Sequence, residues 1–333
     1  MKISILDQAP VSSGKTNATA LQEAMELAKL GEELGFSRYW IAEHHDLPGL
    51  ACSAPEVMLG YIGANTKRIR IGSGAVLLPH YKPYKVAEVY NMLSTLFPDR
   101  IDVGVGRAPG GSAEVTMALS DNYLENVRKM PQFFHDLIHF LHNDFPADHP
   151  NAKIKAAPLP DVPPQVWMLG TSKKSVQLAA EHSCAYAFGL FMSDKDGKEI
   201  IKEYRKQFGG KHSHLKPETI LTVSAICAET SEKAEEIALS NLLWSLQNET
   251  GTGRNGIPSV EEAKNYPFTA EQKEKLEVMR RKMIIGNPRQ VKEKLQQLQQ
   301  SYEVDEIMVV TIVHKFEDRL QSYRLIANEV AGG

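Results

Sequence analysis

Cysteine is scarce in this sequence. Three residues, Cys52, Cys184 and Cys227, are spread over 333 positions and form no CxxC pair. An odd, widely spaced set points away from a disulfide framework and toward free thiols in a reducing cytoplasm. Long apolar runs are missing too. None approaches the ~18 residues that a membrane-spanning helix needs. The apolar start from Met1 to Leu6 stops at Asp7, too short for the core of a secretory signal. Positive charge is not in excess: the formal net charge is −3 and the pI is near 6.4, which argues against a nucleic-acid binder. There is no tandem repeat and no low-complexity tract. The loop after the first apolar run reads DQAPVSSGK, without the GxGxxG of a dinucleotide-binding fold.

What is present is alternation. Hydrophobic residues make up 42% and charged residues 24%, enough to bury a large core. Short apolar runs rich in β-formers recur, each followed by an amphipathic stretch. The predicted strands are Lys2–Asp7, Ser37–Glu43, Ile69–Leu78, Ile101–Gly106, Gln165–Gly170, Ala185–Leu190, Ile220–Cys227 and Asp305–Val313. Predicted helices between and after them include Ala18–Leu34, closed by Gly35, and Ala54–Thr66, Val86–Leu96, Lys173–Glu181, Lys198–Phe208 and Phe316–Asn328. Eight strand–helix units imply parallel pairing, and the count and length favour a closed (β/α)8 TIM barrel over an open sheet. The whole of 1–333 is read as one barrel domain with insertions after strands four and seven. Within the second, a region of about 250–285 stands out, and the glycine-rich ETGTGRNGIPS (Glu249–Ser259) reads as a lid.

In such a barrel the chemistry sits where the strands end. Asp7, Gln8, Glu43, His44, His45, Leu78, Pro79, His80, Gly106, Arg107, Gly170, Thr171 and Ser172 follow strands and are expected to converge. Adjacent residues leaving a strand point to opposite sides, so one of the two histidines faces the pocket while the other packs or binds a carboxylate. Histidine suits proton transfer near neutral pH. A structural pair and a metal site are the other readings, although the HxH of metal-dependent barrel hydrolases is absent from the first strand. GTSKKS (Gly170–Ser175) opens a helix, where free amides attract phosphate, or where Thr171 or Ser172 simply caps the helix. Arg107 could clamp the same anion. Gly72, Gly74, Gly104, Gly106, Gly110 and Gly111 leave room beside the backbone, for a flat ring or for barrel packing.

Four segments carry a family resemblance: WIAEHHD (Trp40–Asp46), IGSGAVLLPHYKP (Ile71–Pro83), FPDRIDVGVGRAPG (Phe97–Gly110) and VWMLGTSKKSVQLAAE (Val166–Glu181). In order and spacing the chain resembles the bacterial luciferase-like monooxygenases, over Met1 to about Leu190 and again from Ile284 to Leu295 and the last strand. The resemblance implies a barrel that is usually dimeric, through the helices after strands two and three. It implies reduced FMN as cosubstrate, or F420 in one branch. It gives His44 the catalytic proton transfer and Gly74–Ala75 a cis peptide under the flavin ring. Arg107, Gly170, Thr171, Ser172 and Ser175 take the flavin phosphate. The expected activity oxidises a small organic molecule with O2 and reduced flavin from a partner reductase. An F420-dependent reductase or a non-catalytic flavin-binding protein of the same fold are the alternatives. Luciferase itself has a cysteine where this chain has Gly106, and an acidic residue near Thr171 that this chain lacks, so light emission is not implied. His80 and Tyr81 are also expected to reach the pocket, and Pro109–Thr116 and Glu249–Ser259 to touch substrate.

Overall fold

The computed structural model describes residues 1–209, 216–253 and 256–331. The chain begins with β1 (Lys2–Asp7), α1 (Asn17–Glu33), β2 (Arg38–Ile41), α2 (Pro55–Asn65), β3 (Arg70–Ser73), β4 (Val76–Leu77), α3 (Pro83–Leu96) and β5 (Ile101–Gly106). Three helices follow, α4 (Ala113–Leu119), α5 (Tyr123–Arg128) and α6 (Met130–His142). Regular alternation resumes with β6 (Gln165–Gly170), α7 (Lys173–Glu181), β7 (Ala185–Gly189), α8 (Lys198–Gln207) and β8 (Thr219–Cys227). Next come α9 (Ser231–Glu249), α10 (Val260–Asn265), α11 (Ala270–Arg281), β9 (Ile284–Gly286), α12 (Pro288–Tyr302), β10 (Glu306–Val310) and α13 (Phe316–Ala331).

The strands pair in parallel in the order β10-β1-β2-β3-β5-β6-β7-β8, and β10 also pairs with β8, which closes an eight-stranded barrel. The fold is therefore the (β/α)8 barrel with insertions after the fourth and seventh barrel strands. The predicted third strand is in fact two. β3 ends at Ser73 and β4 resumes at Val76, both against β5, and the Gly74–Ala75 peptide between them is cis, as the resemblance implied.

Period-two alternation sorts the side chains into two cores. Ile5, Tyr39, Ile41, Val103 and Val105 point outward under the helices, while Leu6, Trp40, Trp167 and Met308 fill the barrel interior. Trp40 and Trp167 meet edge to face, with ring centroids 5.4 Å apart. Two of the glycines serve this packing. A Cβ on Gly72 would lie 2.8 Å from Trp40 Nε1, and one on Gly104 would run into the Ser73 carbonyl.

Beneath the tryptophans, at the amino end of the barrel, lies a buried ion cluster. Arg38 donates to Asp102 (2.7 Å) and Glu306 (3.0 Å), Arg70 donates to Asp102 (2.6 Å), and Ser4 donates to Glu306. Burial works against the charge on Arg38, but the two carboxylates more than offset it and raise its pKa above the usual arginine value.

The second insertion folds as α9, α10, α11 and β9, and β9 extends the rim of β8. The described part of its glycine-rich segment packs at the strand ends, where Ile257 joins the core of Leu6, Trp40 and Met308. The Ile257 amide donates to Val11 O and the Ser13 amide to Ile257 O, both at 2.8 Å, and Ile257 is fully buried. Trp244 of α9 donates to Pro48 O at 3.3 Å, so the insertion is stitched to the loops after β1 and β2. Arg254 and Asn255 of that segment lie outside the described residues.

Candidate active site

A cavity of about 800 Å³ opens at the carboxyl rim of the strands. All eight residues predicted for the site border it: His44, Gly74, Ala75, Arg107, Gly170, Thr171, Ser172 and Ser175. Gln8, Glu43 and Gly106 border it too, but the remaining strand-end residues do not. Asp7 is buried as an anchor, accepting from Tyr39 Oη (2.5 Å), Arg319 Nη2 (2.5 Å) and the Ala9 amide (2.6 Å). His80 turns away, bonding Pro109 O at 2.9 Å and stacking on Tyr123 with centroids 4.8 Å apart. Leu78, Pro79 and Tyr81 are likewise outside the lining, as is all of Glu249–Gly253 and Gly256–Ser259.

The two histidines divide their work. The His44 amide donates to Cys52 O (2.9 Å) and the His45 amide to Gly110 O (2.8 Å), which fixes the backbone so that neighbouring side chains diverge. His44 borders the cavity, whereas His45 Nε2 meets Glu43 Oε1 at 2.8 Å. Glu43 also accepts from Tyr81 Oη (2.6 Å) and the Leu77 amide (3.0 Å), so both its oxygens are in use. His44 Nδ1 is buried and has no hydrogen-bond partner. Burial pushes the His44 pKa down to about 4, against the opposing pull of Glu43. The imidazole is thus neutral at physiological pH.

That shift predicts an acid sensitivity. The unfolded chain takes a proton at His44 near pH ~6.5, whereas the folded chain resists until about pH 4. The unfolded state binds more protons in between, so this part of stability is intact above the higher value and is lost as pH falls through the window. Urea midpoints at pH 7.0 and 4.5 should therefore fall less in His44→Asn than in the parent chain. Equal falls would remove His44 as the source.

The other wall is an anion cradle. Ser172 caps α7 and forms a reciprocal capping box with Ser175 (3.4 and 3.3 Å). Tyr186 Oη donates to Gly170 O at 2.8 Å and holds the turn, and a Cβ on Gly170 would strike Ser175 Oγ. The two serine hydroxyls therefore serve the helix first. The amides of Lys173 and Lys174 stand in the first turn, where no intrahelical carbonyl receives them, and the helix dipole adds positive potential. Arg107 Nη2 lies 3.5 Å from Ser172 Oγ, and Lys174 lines the same side. Arg128, at the end of α5, completes the cationic wall. Arg128 carries no sequence signal, because the packing of the first insertion brings it there, with Asn126 of the same helix donating to Pro79 O at 2.8 Å.

Between histidine and cradle lies a shelf of small residues. Gly74, Ala75, Gly106 and Ala108 border the cavity, and a Cβ on Gly106 would lie 3.1 Å from that of Ala75. Gly110 (φ +73°) and Gly111 have another reason: a Cβ on Gly111 would sit 2.5 Å from His45 O. Among the described residues no three His, Cys, Asp or Glu side chains group to hold a metal ion, and no helix is long and apolar enough to cross a membrane.

A closed parallel barrel with a roomy cavity at its strand-end rim has the architecture of a (β/α)8-barrel enzyme. A family model described as luciferase-like monooxygenase matches residues 1–303, and the chain belongs to that family. It is 45% identical to the uncharacterised protein YceB of Bacillus subtilis (strain 168), over 98% of each chain. It is 36% identical to the N-acetyl-S-alkylcysteine monooxygenase of the same organism, over 99% of this chain and 98% of that one. The crystal structure of apo-MsnO8 superposes with a TM-score of 0.87 at 33% identity, covering 99% of this chain and 97% of that one. Two solved structures share the fold at lower identity. An FMN complex of 3,6-diketocamphane monooxygenase from Pseudomonas putida is 17% identical, covering all of this chain and 98% of that one, with a TM-score of 0.72. An F420-dependent secondary alcohol dehydrogenase is 13% identical, covering 99% and 98%, with a TM-score of 0.67.

Proposed function

We propose that this chain, working as one barrel domain, is a flavin-dependent monooxygenase that oxidises a small organic substrate with O2 and reduced FMN supplied by a separate flavin reductase. The observation that carries this reading is the convergence on one cavity of an anion cradle and a buried, neutral histidine with an unpaired ring nitrogen. The fit is chemical. The Lys173 and Lys174 amides, the Thr171 hydroxyl and the Arg107, Arg128 and Lys174 cations would receive a phosphate. The small residues at Gly74, Ala75 and Gly106 leave room for a planar ring, and His44 borders the same space. The flavin, when bound, supplies the redox chemistry. His44 accepts or returns a proton, Glu43 keeps His45 and Tyr81 out of the cavity, and the apolar lining excludes water.

Titration of the protein with FMN and with F420, followed by cofactor fluorescence, tests the assignment. FMN is expected to bind with a dissociation constant at or below the micromolar range. Arg107→Ala, which removes a charge-assisted contact, should raise that constant by about tenfold or more. Tighter binding of F420, or an unchanged constant in the variant, would overturn the cofactor or the residue. Turnover is assayed with reduced FMN in aerated buffer against a panel of neutral amides, ketones and thioethers, with the carboxylate-bearing N-acetyl-S-alkylcysteines, named for the 36%-identical relative, as the anionic comparison. No product from any member, with FMN bound, would favour a non-catalytic flavin-binding protein.

The proposed assembly is a homodimer. Val57 and Tyr61 on α2 and Met92 and Leu96 on α3 are exposed by 68, 43, 52 and 62%, in two i, i+4 pairs on adjacent helices. Burying that apolar face against its symmetry mate is the simplest use of it. Val57→Glu with Met92→Glu should halve the mass measured by light scattering. A monomeric parent chain would refute the dimer.

A further inference from the structure

The cavity is not uniform. Its cations, Arg107, Arg128 and Lys174, lie on the side of β5 and α7, and the proposed flavin phosphate occupies them. The opposite side is built by β1, β10 and β8, which are neighbours in the barrel. There the lining is Leu6, Gln8, Thr222 and Met308, with Trp40 beside them. Thr222 pairs in register with Met308, and Ser4 with Met308 from the other edge, so Leu6 and Gln8 continue up β1 along the same inner row. No charged side chain stands in this part.

Two polar side chains there are unused. Thr222 is 5% exposed, and neither its hydroxyl nor the Gln8 amide makes a hydrogen bond to the protein among the described residues. Unpaired polar groups facing an apolar cavity are costly unless a ligand pairs them. Glu43, the carboxylate in the cavity lining, has both oxygens committed to Tyr81, His45 and the Leu77 amide. It therefore offers no free acceptor to a cation, while its charge opposes an entering carboxylate. A charged group on this side would be buried without a partner.

We propose that the β1–β10–β8 side of the cavity is the substrate subsite, that it takes an uncharged, largely apolar molecule, and that Gln8 and Thr222 select it by pairing one hydrogen-bonding group such as a carbonyl or an amide. This rests on the flavin reading only in assigning the cationic side to the cofactor. An amide is the best-matched partner, because Gln8 both donates and accepts and the Thr222 hydroxyl does the same.

The test uses three probes of one size and different charge: hexanamide, hexanoate and hexylammonium. Each is titrated into the full-length protein, with and without FMN, while tryptophan fluorescence is followed; Trp40 lines the cavity and Trp167 touches it edge to face. Hexanamide should bind at least tenfold tighter than either charged probe. Gln8→Leu with Thr222→Val should weaken hexanamide by about tenfold or more and leave the FMN constant unchanged. Tighter binding of hexanoate or hexylammonium, no binding by any probe, or an unaltered hexanamide constant in the double variant each overturns the proposal. Failure of FMN to bind while hexanamide still does would sink the flavin reading and leave the neutral subsite standing.

Discussion

Replacing His44 with alanine is expected to lower turnover by about 10²- to 10⁴-fold, the range for a positioned proton-transfer group. The FMN constant should move by less than about threefold, because no part of the anion cradle involves that side chain. Two features make the effect large. His44 Nδ1 is buried without a partner at the cavity wall, and burial keeps the ring neutral by lowering its pKa to about 4. A neutral imidazole at the cavity can take a proton, whereas His45 spends its Nε2 on Glu43 at 2.8 Å and does not border the cavity. The two histidines should therefore separate: turnover per folded molecule should survive His45→Gln far better than His44→Ala. Turnover in His44→Ala equal to that of the parent chain, on any substrate in the panel, would end the assignment.

The second large effect is on stability. Arg38→Met removes the cation that joins Asp102 to Glu306 inside the barrel, where the side chains are 6, 0 and 3% exposed. Breaking a buried pair from one side leaves a carboxylate without countercharge and costs on the order of 3–5 kcal/mol. Asp102 keeps Arg70, so the orphan is Glu306, whose remaining donor is Ser4. Adding Glu306→Gln to the Arg38→Met variant should thus recover part of the loss, read as the urea midpoint. A loss below about 1 kcal/mol would place the cluster with ordinary surface ion pairs.

Much of this was legible in the chain of residues. β5 and β6 begin and end where the alternation predicts, as does α7, because strong β-formers stop at Gly106 and Gly170 and Ser172 then caps a helix. The eight named site residues converge because strand ends in a closed barrel have one place to meet. What a linear reading could not give was direction. A glycine announces that something comes close, without saying what. For Gly72 it is Trp40 and for Gly104 the Ser73 carbonyl, whereas Gly74 and Gly106 border the cavity. His80 and Asp7 occupy rim positions as good as His44, yet turn to Pro109 and Arg319. Gln8 was among the strand-end residues expected to converge, but Arg128 and Thr222 gain their places from helix packing and from pairing across strands far apart in sequence, which no local pattern records.

The closing pair of the barrel has a consequence for how the protein is made. Among the described residues β10 alone bonds to both β1 and β8, and it also supplies Glu306 to the ion cluster. During translation, seven strands are complete long before residues 306–310 emerge. Until then the nascent sheet carries two raw edges, at β1 and β8, open to pairing with other chains. The cell must shield that intermediate or outrun its aggregation, and variants that delay docking of β10 should show their defect in yield of soluble protein before they show it in the purified molecule.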